Sequence, residues 1–373
     1  MININILTNN LAANSRAFNF PLIRYKHVLF SNKYNIKLYY NDSFILNKNK
    51  LYNRFLDCDI LGINSKSMHY IWNNNRDYLF EFLSKAKNMG KKILWFDTYD
   101  STSSTEFEVL QYVDLYLKNQ LLKDKSLYLD ERSRTRFYIN YLNEHYNINQ
   151  KPVEKWPLAN KNSLSKIQLS WNSCFENYNK SRYSIFNRFN HKYLRPNRLW
   201  PQKNRIKFSP VDSIRENICS YRGNTDYQWT ALIRHREEIS RLIRKIGVKS
   251  GKVNLDVFFS EMENSITSIG PFGLGEITLR DYEIIISGST LIKPDISYLQ
   301  TWPNLFKENK TYIPIKWDLS NLLDTIESLR VNLDYRIHVA ENAQRVYKKY
   351  IFDESQDSLF IEQFDGIINK LDK

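Results

Sequence analysis

Short apolar runs alternate with amphipathic segments through residues 1–130 of the chain. The segment RDYLFEFLSKAKNM (Arg76–Met89) carries apolar residues at helical spacing, and Gly90 follows it as a C-cap. Strands that are separated by helices pair in parallel through right-handed crossovers. The alternation therefore predicts an α/β unit built on a parallel sheet. Its predicted strands are Ile2–Leu7, Ile36–Tyr40, Asp59–Ile63, Lys92–Phe96 and Val113–Lys118.

A second series of strands and helices begins near residue 217, after a stretch rich in Pro, Asn and Lys. Its predicted strands are Asn217–Tyr221, Ser265–Ile269 and Thr290–Lys293. Its predicted helices are Gln228–Ile246, Phe258–Asn264, Asp281–Ser287, Leu319–Asn332 and Asp334–Tyr350. A chain of 373 residues is too long for one ordinary core. We therefore expect two Rossmann-like α/β domains facing across a cleft, where ligands of such folds bind.

The expected N-terminal domain is 1–205 and the expected C-terminal domain is 206–350, and a helix at 351–373 could pack back on the N-terminal domain.

The formal net charge is +14, and a basic segment at about 180–207 carries nine Lys or Arg residues and no Asp or Glu. Aromatic residues interrupt that segment, as in some nucleic-acid surfaces. A solvated interdomain segment fits it at least as well, and a surface for anionic lipid is a third option. No known nucleic-acid motif accompanies it, so we expect no nucleic-acid partner.

Several classes of protein are disfavoured by what the sequence lacks. No apolar run reaches the roughly 18–20 residues that span a bilayer, and MININILTNN is unlike a signal peptide. Cys58, Cys174 and Cys219 are too scattered for a disulfide framework, and the six histidines form no ligand pattern. We therefore expect a cytoplasmic protein with reduced thiols, no metal and no cofactor, which could touch an anionic membrane through its basic surface.

The most informative stretch is SIGPFGLGEITLRDYE, residues 268–283. Gly270, Gly273 and Gly275 follow a predicted strand, so the backbone there can turn sharply and approach a ligand closely. A helix is predicted to start near Thr278 or Leu279, and its free N–H groups and positive dipole end favour an anion such as a diphosphate.

Arg280 and Glu283 share one face of that helix because they are three residues apart. The guanidinium offers a planar fork for phosphate, and a carboxylate can accept hydrogen bonds from two ribose hydroxyls. The same two residues could also form only a structural pair within the helix.

The R-x-x-E helix is followed by Gly288 and an apolar strand, and then by Lys293-Pro-Asp, Thr301-Trp-Pro and YIPIKWD (312–318). Together with PFGLGE these motifs resemble the C-terminal domain of GT-B glycosyltransferases, chiefly the exostosin-like and capsule-associated-protein-like branches and bacterial or viral relatives. The match covers about residues 217–350. The resemblance implies that Glu283 holds the donor ribose and Arg280 the donor phosphates, with Glu276 near the donor sugar or the reacting centre. Gly273, Gly275 and Lys293 would belong to the same donor site.

The chain departs from this family at one position. Many GT-B enzymes carry two glutamates eight residues apart, and aligning Glu283 as the second puts Gly275 at the first. Glu276, one residue on, could take over the role of the first glutamate, or the site could be built differently.

A second donor element is predicted at Tyr221-Arg-Gly-Asn-Thr225, which resembles an RG(S/N)T segment of the same relatives. Gly223 allows close backbone approach, and Arg222 could neutralise the leaving diphosphate, which is the main catalytic task without a metal. Arg234 and Arg236 follow in the next predicted helix; one of them could point into the cleft, but a solvated helix face is favoured for each.

On the N-terminal side, the polar loop WFDTYDSTSS follows the predicted strand Lys92–Phe96. Asp97 and Asp100 could bind acceptor hydroxyls, and either could be the general base that deprotonates the attacking hydroxyl. Both could instead cap a helix or shape a turn.

These features predict a metal-independent glycosyltransferase, a hexosyl- or pentosyltransferase. It would move a sugar from a nucleoside-diphosphate sugar to a hydroxyl of a glycan or lipid-linked glycan. Two alternatives are a nucleic-acid-binding protein that uses 180–207 and a non-catalytic GT-B-like scaffold.

Overall fold

The computed structural model describes residues 1–10, 12–40, 52–183, 206–212, 214–352 and 358–371. Most of the basic segment 180–207 therefore lies outside the described residues.

The first domain is built on a six-stranded, all-parallel sheet with the order β2-β1-β3-β4-β5-β7. Its strands are β1 (Ile2–Thr8), β2 (Tyr34–Tyr40), β3 (Ile60–Asn64), β4 (Lys92–Asp97), β5 (Leu115–Lys118) and β7 (Ile167–Leu169), and β6 (Gln120–Leu122) lies outside this sheet. Its helices are α1 (Ala13–Arg24), α2 (Lys26–Ser31), α3 (Tyr52–Leu56), α4 (His69–Asn74), α5 (Arg76–Asn88) and α6 (Phe137–His145). The five predicted strands are present to within two residues at each end, and β7 was not predicted.

The second domain is built on a four-stranded parallel sheet with the order β12-β10-β9-β8. Its strands are β8 (Asn217–Ser220), β9 (Ser265–Ile269), β10 (Thr290–Pro294) and β12 (Ile313–Ile315). Its helices are α7 (Thr230–Arg244), α8 (Leu255–Glu263), α9 (Leu279–Ser287), α10 (Leu322–Val331) and α11 (Leu333–Ile351), and α12 (Leu359–Ile368) follows. Two parallel α/β sheets with a cleft between them are the GT-B-like architecture that the sequence predicted.

Helix α9 has clear start and stop signals in the sequence. The backbone N–H of its N-cap, Thr278, donates to the Asp281 carboxylate at 2.6 Å, so that side chain satisfies an amide at the start of the helix. The helix ends at Gly288, whose φ of 73° places it in the left-handed region that favours glycine. These signals fix the start of the helix at the cleft.

A short antiparallel ribbon joins the two domains. Strand β6 of the first domain pairs with β11 (Leu299–Thr301) of the second, and the Lys123 N–H donates to the Tyr298 carbonyl at 2.9 Å. Neither strand was predicted. The ribbon brings the loop after β5 next to the second domain.

The C-terminal helix α12 contacts the first domain. The Phe360 ring stacks on Tyr25 at 5.4 Å between centroids, and Phe364 meets Tyr34 edge-on at 5.2 Å. Gln363 donates to the carbonyls of Leu169 and Ser170.

None of the helices in the described ranges has the length and apolar character that crossing a membrane requires.

Candidate active site

The two sheets face a cavity of about 420 Å³. It opens at the carboxyl ends of β1, β4, β8 and β9, the position at which α/β folds bind ligands. The first domain contributes Asn14, Ala17, Phe18, Thr98, Asp100, Asn119, Gln120, Trp171, Asn172 and Ser173 to its wall. The second contributes Asn224, Tyr227, Arg236, Pro271, Gly273, Leu274, Gly275, Ile277, Thr278, Leu279, Arg280, Tyr282 and Glu283.

Arg236 of helix α7 supplies one positive charge to this wall. Its guanidinium donates to the Phe272 carbonyl at 2.9 and 2.6 Å and to the Asn224 carbonyl at 2.8 Å, and it lies over the Tyr227 ring at 4.7 Å. The residue is 6% exposed. Within the described residues no carboxylate lies at ion-pair distance from it. Its charge is therefore held in place by neutral groups and is not neutralised by an ion pair.

Arg280 supplies a second positive charge, in the first turn of α9. It donates to the Arg222 carbonyl at 2.6 Å and lies over the Phe258 ring at 4.7 Å. Burial lowers the pKa of the Arg280 guanidinium; the nearby Glu283 raises it, and the charge of Arg236 lowers it further. The two guanidiniums thus repel each other, and an anion between them would relieve that repulsion.

The N-terminal turn of α9 forms part of the same wall, through Thr278, Leu279 and Arg280. The first N–H groups of a helix lack partners within the helix and carry a partial positive charge. Together with Arg236 and Arg280 they form a site suited to an anion with more than one charge.

Two carboxylates line the cavity from opposite sides. Glu283 lies one turn after Arg280 on α9, and Asp100 lies in the loop after β4. The Asn14 amide donates to the Asp100 carboxylate and to the Thr98 carbonyl, both at 2.8 Å. This contact ties the start of α1 to the loop that carries Asp100.

Of the ten residues predicted for the catalytic and donor sites, five meet in this cavity: Asp100, Gly273, Gly275, Arg280 and Glu283. The other five lie outside its wall: Asp97, Arg222, Gly223, Glu276 and Lys293.

Asp97 is fully buried beneath the loop. Its carboxylate accepts from Lys118 at 2.8 Å, from the Tyr116 hydroxyl at 2.5 Å and from the Tyr99 N–H at 2.8 Å. These three donors replace the water that the carboxylate loses on burial, so the buried charge is stabilised.

Arg222 and Lys293 also have anionic partners. Arg222 forms a two-pronged ion pair with Glu261 at 2.7 and 2.5 Å, so it is the Arg222 backbone carbonyl that serves the site, by holding Arg280. Lys293 is fully buried and pairs with Asp281 at 2.9 Å. Both cations are neutralised away from the cavity.

The glycines accommodate close contacts within the protein. A Cβ at Gly275 would lie 2.0 Å from the Asp100 carbonyl oxygen, and one at Gly223 would lie 2.2 Å from the Tyr221 hydroxyl. A glutamate at 275 would collide with the first domain, so the close contact there requires glycine. Glu276 turns away from the cavity wall and into the domain interface.

The sequence favours a solvated helix face for both Arg234 and Arg236, and this is wrong for Arg236, which is buried. Arg236 lies on the buried face of α7 with Leu232, Ile239 and Ile243, and an arginine on the apolar face of an amphipathic helix is the signal that could have identified it. Arg234 lies on the opposite, exposed face, where Glu237 is 3.5 Å away.

A pH dependence follows from Glu106, which is buried behind Asp97. Burial raises the pKa of Glu106 to about 8, and the charge of Asp97 adds to the shift. Because its pKa is higher when folded, its contribution to stability is complete below the ordinary value of 4.5 and is lost as pH rises to about 8. We expect the melting temperature of the parent to fall between pH 5 and pH 8 and that of Glu106→Gln to fall less. Equal slopes for the two proteins would contradict this assignment, and Glu108→Gln, at a more exposed neighbour, is the control.

The described residues contain no group of three or more His, Cys, Asp or Glu side chains placed to hold a metal ion. The three cysteines are buried and free.

Neither a family model nor a curated protein matches the chain. Among solved structures, an alpha-glucosyltransferase in complex with UDP aligns over 99% of this chain and 100% of its own, with a TM-score of 0.48 and 13% identity. A glycosyltransferase from Rickettsia africae ESF-5 aligns over 99% and 98%, with a TM-score of 0.43 and 11% identity. TarM aligns over 83% of this chain and 54% of its own, with a TM-score of 0.39 and 10% identity.

Proposed function

We propose that this protein is a glycosyltransferase that moves a sugar from a nucleoside-diphosphate sugar to a hydroxyl of a glycan. The observation that carries the proposal is the meeting of Arg236, Arg280 and the start of α9 at one cavity. Both guanidiniums are fixed by backbone carbonyls and face the same space as the helix N-terminus. A diphosphate has the charge and the acceptor oxygens that this arrangement requires.

We assign binding of the nucleoside's ribose to Glu283. Its carboxylate lies on the same helix as Arg280, one turn farther from the N-terminus. A diphosphate at the start of α9 would therefore place the attached ribose along the helix, towards Glu283. A carboxylate can accept from both vicinal hydroxyls of a ribose.

We assign binding of the acceptor to the wall that the first domain contributes, where Asp100 lies. In the proposed step the Asp100 carboxylate takes the proton of the acceptor hydroxyl, whose oxygen forms the new bond to the anomeric carbon. The bond from that carbon to the diphosphate oxygen breaks, and its electron pair leaves with the nucleoside diphosphate. Arg236, Arg280 and the helix N-terminus stabilise the charge that develops there, so this chemistry is proposed to need no metal.

Nucleotide binding tests the donor half of the proposal. We expect UDP or GDP at millimolar concentration to raise the melting temperature of the parent. Glu283→Ala and Arg280→Ala each remove hydrogen bonds involving a charged group, so each should weaken binding by about 10- to 100-fold. Titration calorimetry measures the loss. The control is Glu237→Ala, on the exposed face of α7, which should bind as the parent does.

If both cavity variants bind every nucleotide as tightly as the parent, the donor site has been misassigned. If no nucleotide stabilises the parent at all, the proposed function is wrong.

A further inference from the structure

Glu276 joins the two domains through its side chain. Its carboxylate is completely buried. It accepts hydrogen bonds from the Thr102 hydroxyl at 2.6 Å, the Ser101 hydroxyl at 3.1 Å, the Thr102 N–H at 3.2 Å and the Gln120 amide at 3.3 Å. All four donors belong to the first domain, whereas Glu276 belongs to the glycine-containing loop of the second.

The residues that contact Glu276 also contact Asp100, the proposed base, or adjoin it in sequence. The Gln120 amide that donates to Glu276 also donates to the Asp100 carbonyl. Gly275, the neighbour of Glu276, packs against that carbonyl so closely that a Cβ there would lie 2.0 Å from it. The backbone carbonyl of Asp100 therefore contacts both Gly275 and Gln120, while Ser101 and Thr102 are held by Glu276.

We propose that Glu276 is a positioning residue that sets Asp100 opposite the donor site by binding Ser101, Thr102 and Gln120 across the cleft. In this role Glu276 binds the first domain and not the substrate, since its carboxylate is completely buried and accepts from four first-domain donors. This inference rests on the proposed function insofar as Asp100 is the base.

The chemistry of the contact makes it dependent on domain closure. A buried carboxylate is stable only while hydrogen-bond donors replace the water it has lost. Here every such donor identified lies on the opposite domain, so separating the domains would break all four hydrogen bonds together and expose the carboxylate to water. The loop carrying Asp100 would then lose its fixed position. The base is thus set in place only when the donor domain closes on the acceptor domain.

Two substitutions at Thr102 separate this role from a general effect on packing. Thr102→Val has nearly the same shape but lacks the hydroxyl that makes the shortest bond to Glu276, whereas Thr102→Ser keeps it. We expect Thr102→Val to lower kcat by about 10- to 100-fold, because misplacing a reacting group by about 1 Å costs roughly 10². Thr102→Ser should retain most of the activity, and the nucleotide Kd of both should stay within about twofold of the parent.

The ratio of donor hydrolysis to sugar transfer should rise in Thr102→Val, since a displaced base and a looser interface admit water. Glu276→Gln should behave in the same way, because its amide N–H groups would face donors. Hydrogen exchange of the amides in residues 99–105 should be faster in Thr102→Val than in Thr102→Ser, with or without nucleotide.

Equal kcat and equal exchange rates for the valine and serine variants would overturn the proposal. So would a loss of nucleotide binding that matches the loss of kcat, which would place Glu276 in the donor site. If the parent binds no nucleotide, the proposed function fails, and the exchange comparison alone still decides whether Glu276 holds the loop. Should Thr102→Val not fold, Ser101→Ala removes a longer bond to the same carboxylate and serves in its place.

Discussion

Replacing Arg236 with alanine is expected to lower kcat for sugar transfer by about 10²- to 10³-fold, the loss typical of removing one group that stabilises developing charge in a closed site. The guanidinium lies in the cavity wall, is fixed by the Phe272 and Asn224 carbonyls, and has no carboxylate partner in the described part of the chain. Its charge is therefore available to the leaving diphosphate. Since that charge grows as the anomeric bond breaks, kcat should fall more than the affinity for nucleotide.

Arg234→Ala is the matched control for this experiment. It removes the same functional group two residues earlier on the same helix, from an exposed position beside Glu237, and should leave transfer and binding unchanged. Arg236→Lys should restore only part of the rate, because an ammonium lacks the planar fork that reaches two carbonyls and still faces the ligand. If Arg236→Ala transfers sugar at the parent rate, Arg236 does not stabilise the leaving-group charge, and that role is left to Arg280 and the start of α9.

Most of the fold was accessible from the sequence because its strands are short apolar runs placed between helical segments. The strands at 60–64 and 92–97 are buried and are nearly continuous apolar runs, which is the pattern of parallel strands. The ribbon of β6 and β11 was missed for a physical reason. Three residues in each strand are too few for a periodic pattern, and their pairing joins residue 120 to residue 301, a contact that no local rule predicts.

Part of the cavity wall could be predicted from the sequence. The glycines, Arg280 and Glu283 could be found because close approach, a helix start and helical spacing are all local properties. Whether a charged side chain faces a ligand or an internal partner is decided by distant residues. Glu261 neutralises Arg222, Asp281 neutralises Lys293 and the first domain binds Glu276. None of these pairings follows from spacing along the chain, although the apolar face of α7 does distinguish Arg236 from Arg234.

Breaking the buried ion pair between Asp97 and Lys118 is expected to cause a large loss of stability. Lys118→Met is expected to destabilise the protein by about 3–5 kcal/mol, because it leaves the Asp97 carboxylate buried without its cation. Both side chains are fully buried and 2.8 Å apart. The Tyr116 hydroxyl and the Tyr99 N–H still donate to Asp97, but neither supplies a positive charge. The loss of stability is measured as the shift in the midpoint of urea unfolding.

The double variant Asp97→Leu with Lys118→Met should recover most of this stability, since replacing both members of a buried ion pair with apolar residues is often nearly neutral. Arg132→Met breaks a surface ion pair of similar length, 2.7 Å, and should leave the midpoint unchanged because solvent screens exposed pairs. A Lys118→Met protein as stable as the parent would show that Asp97 does not need this partner when buried. If the double variant is stable and still transfers sugar, Asp97 is excluded as the base and serves only the sheet beneath the loop.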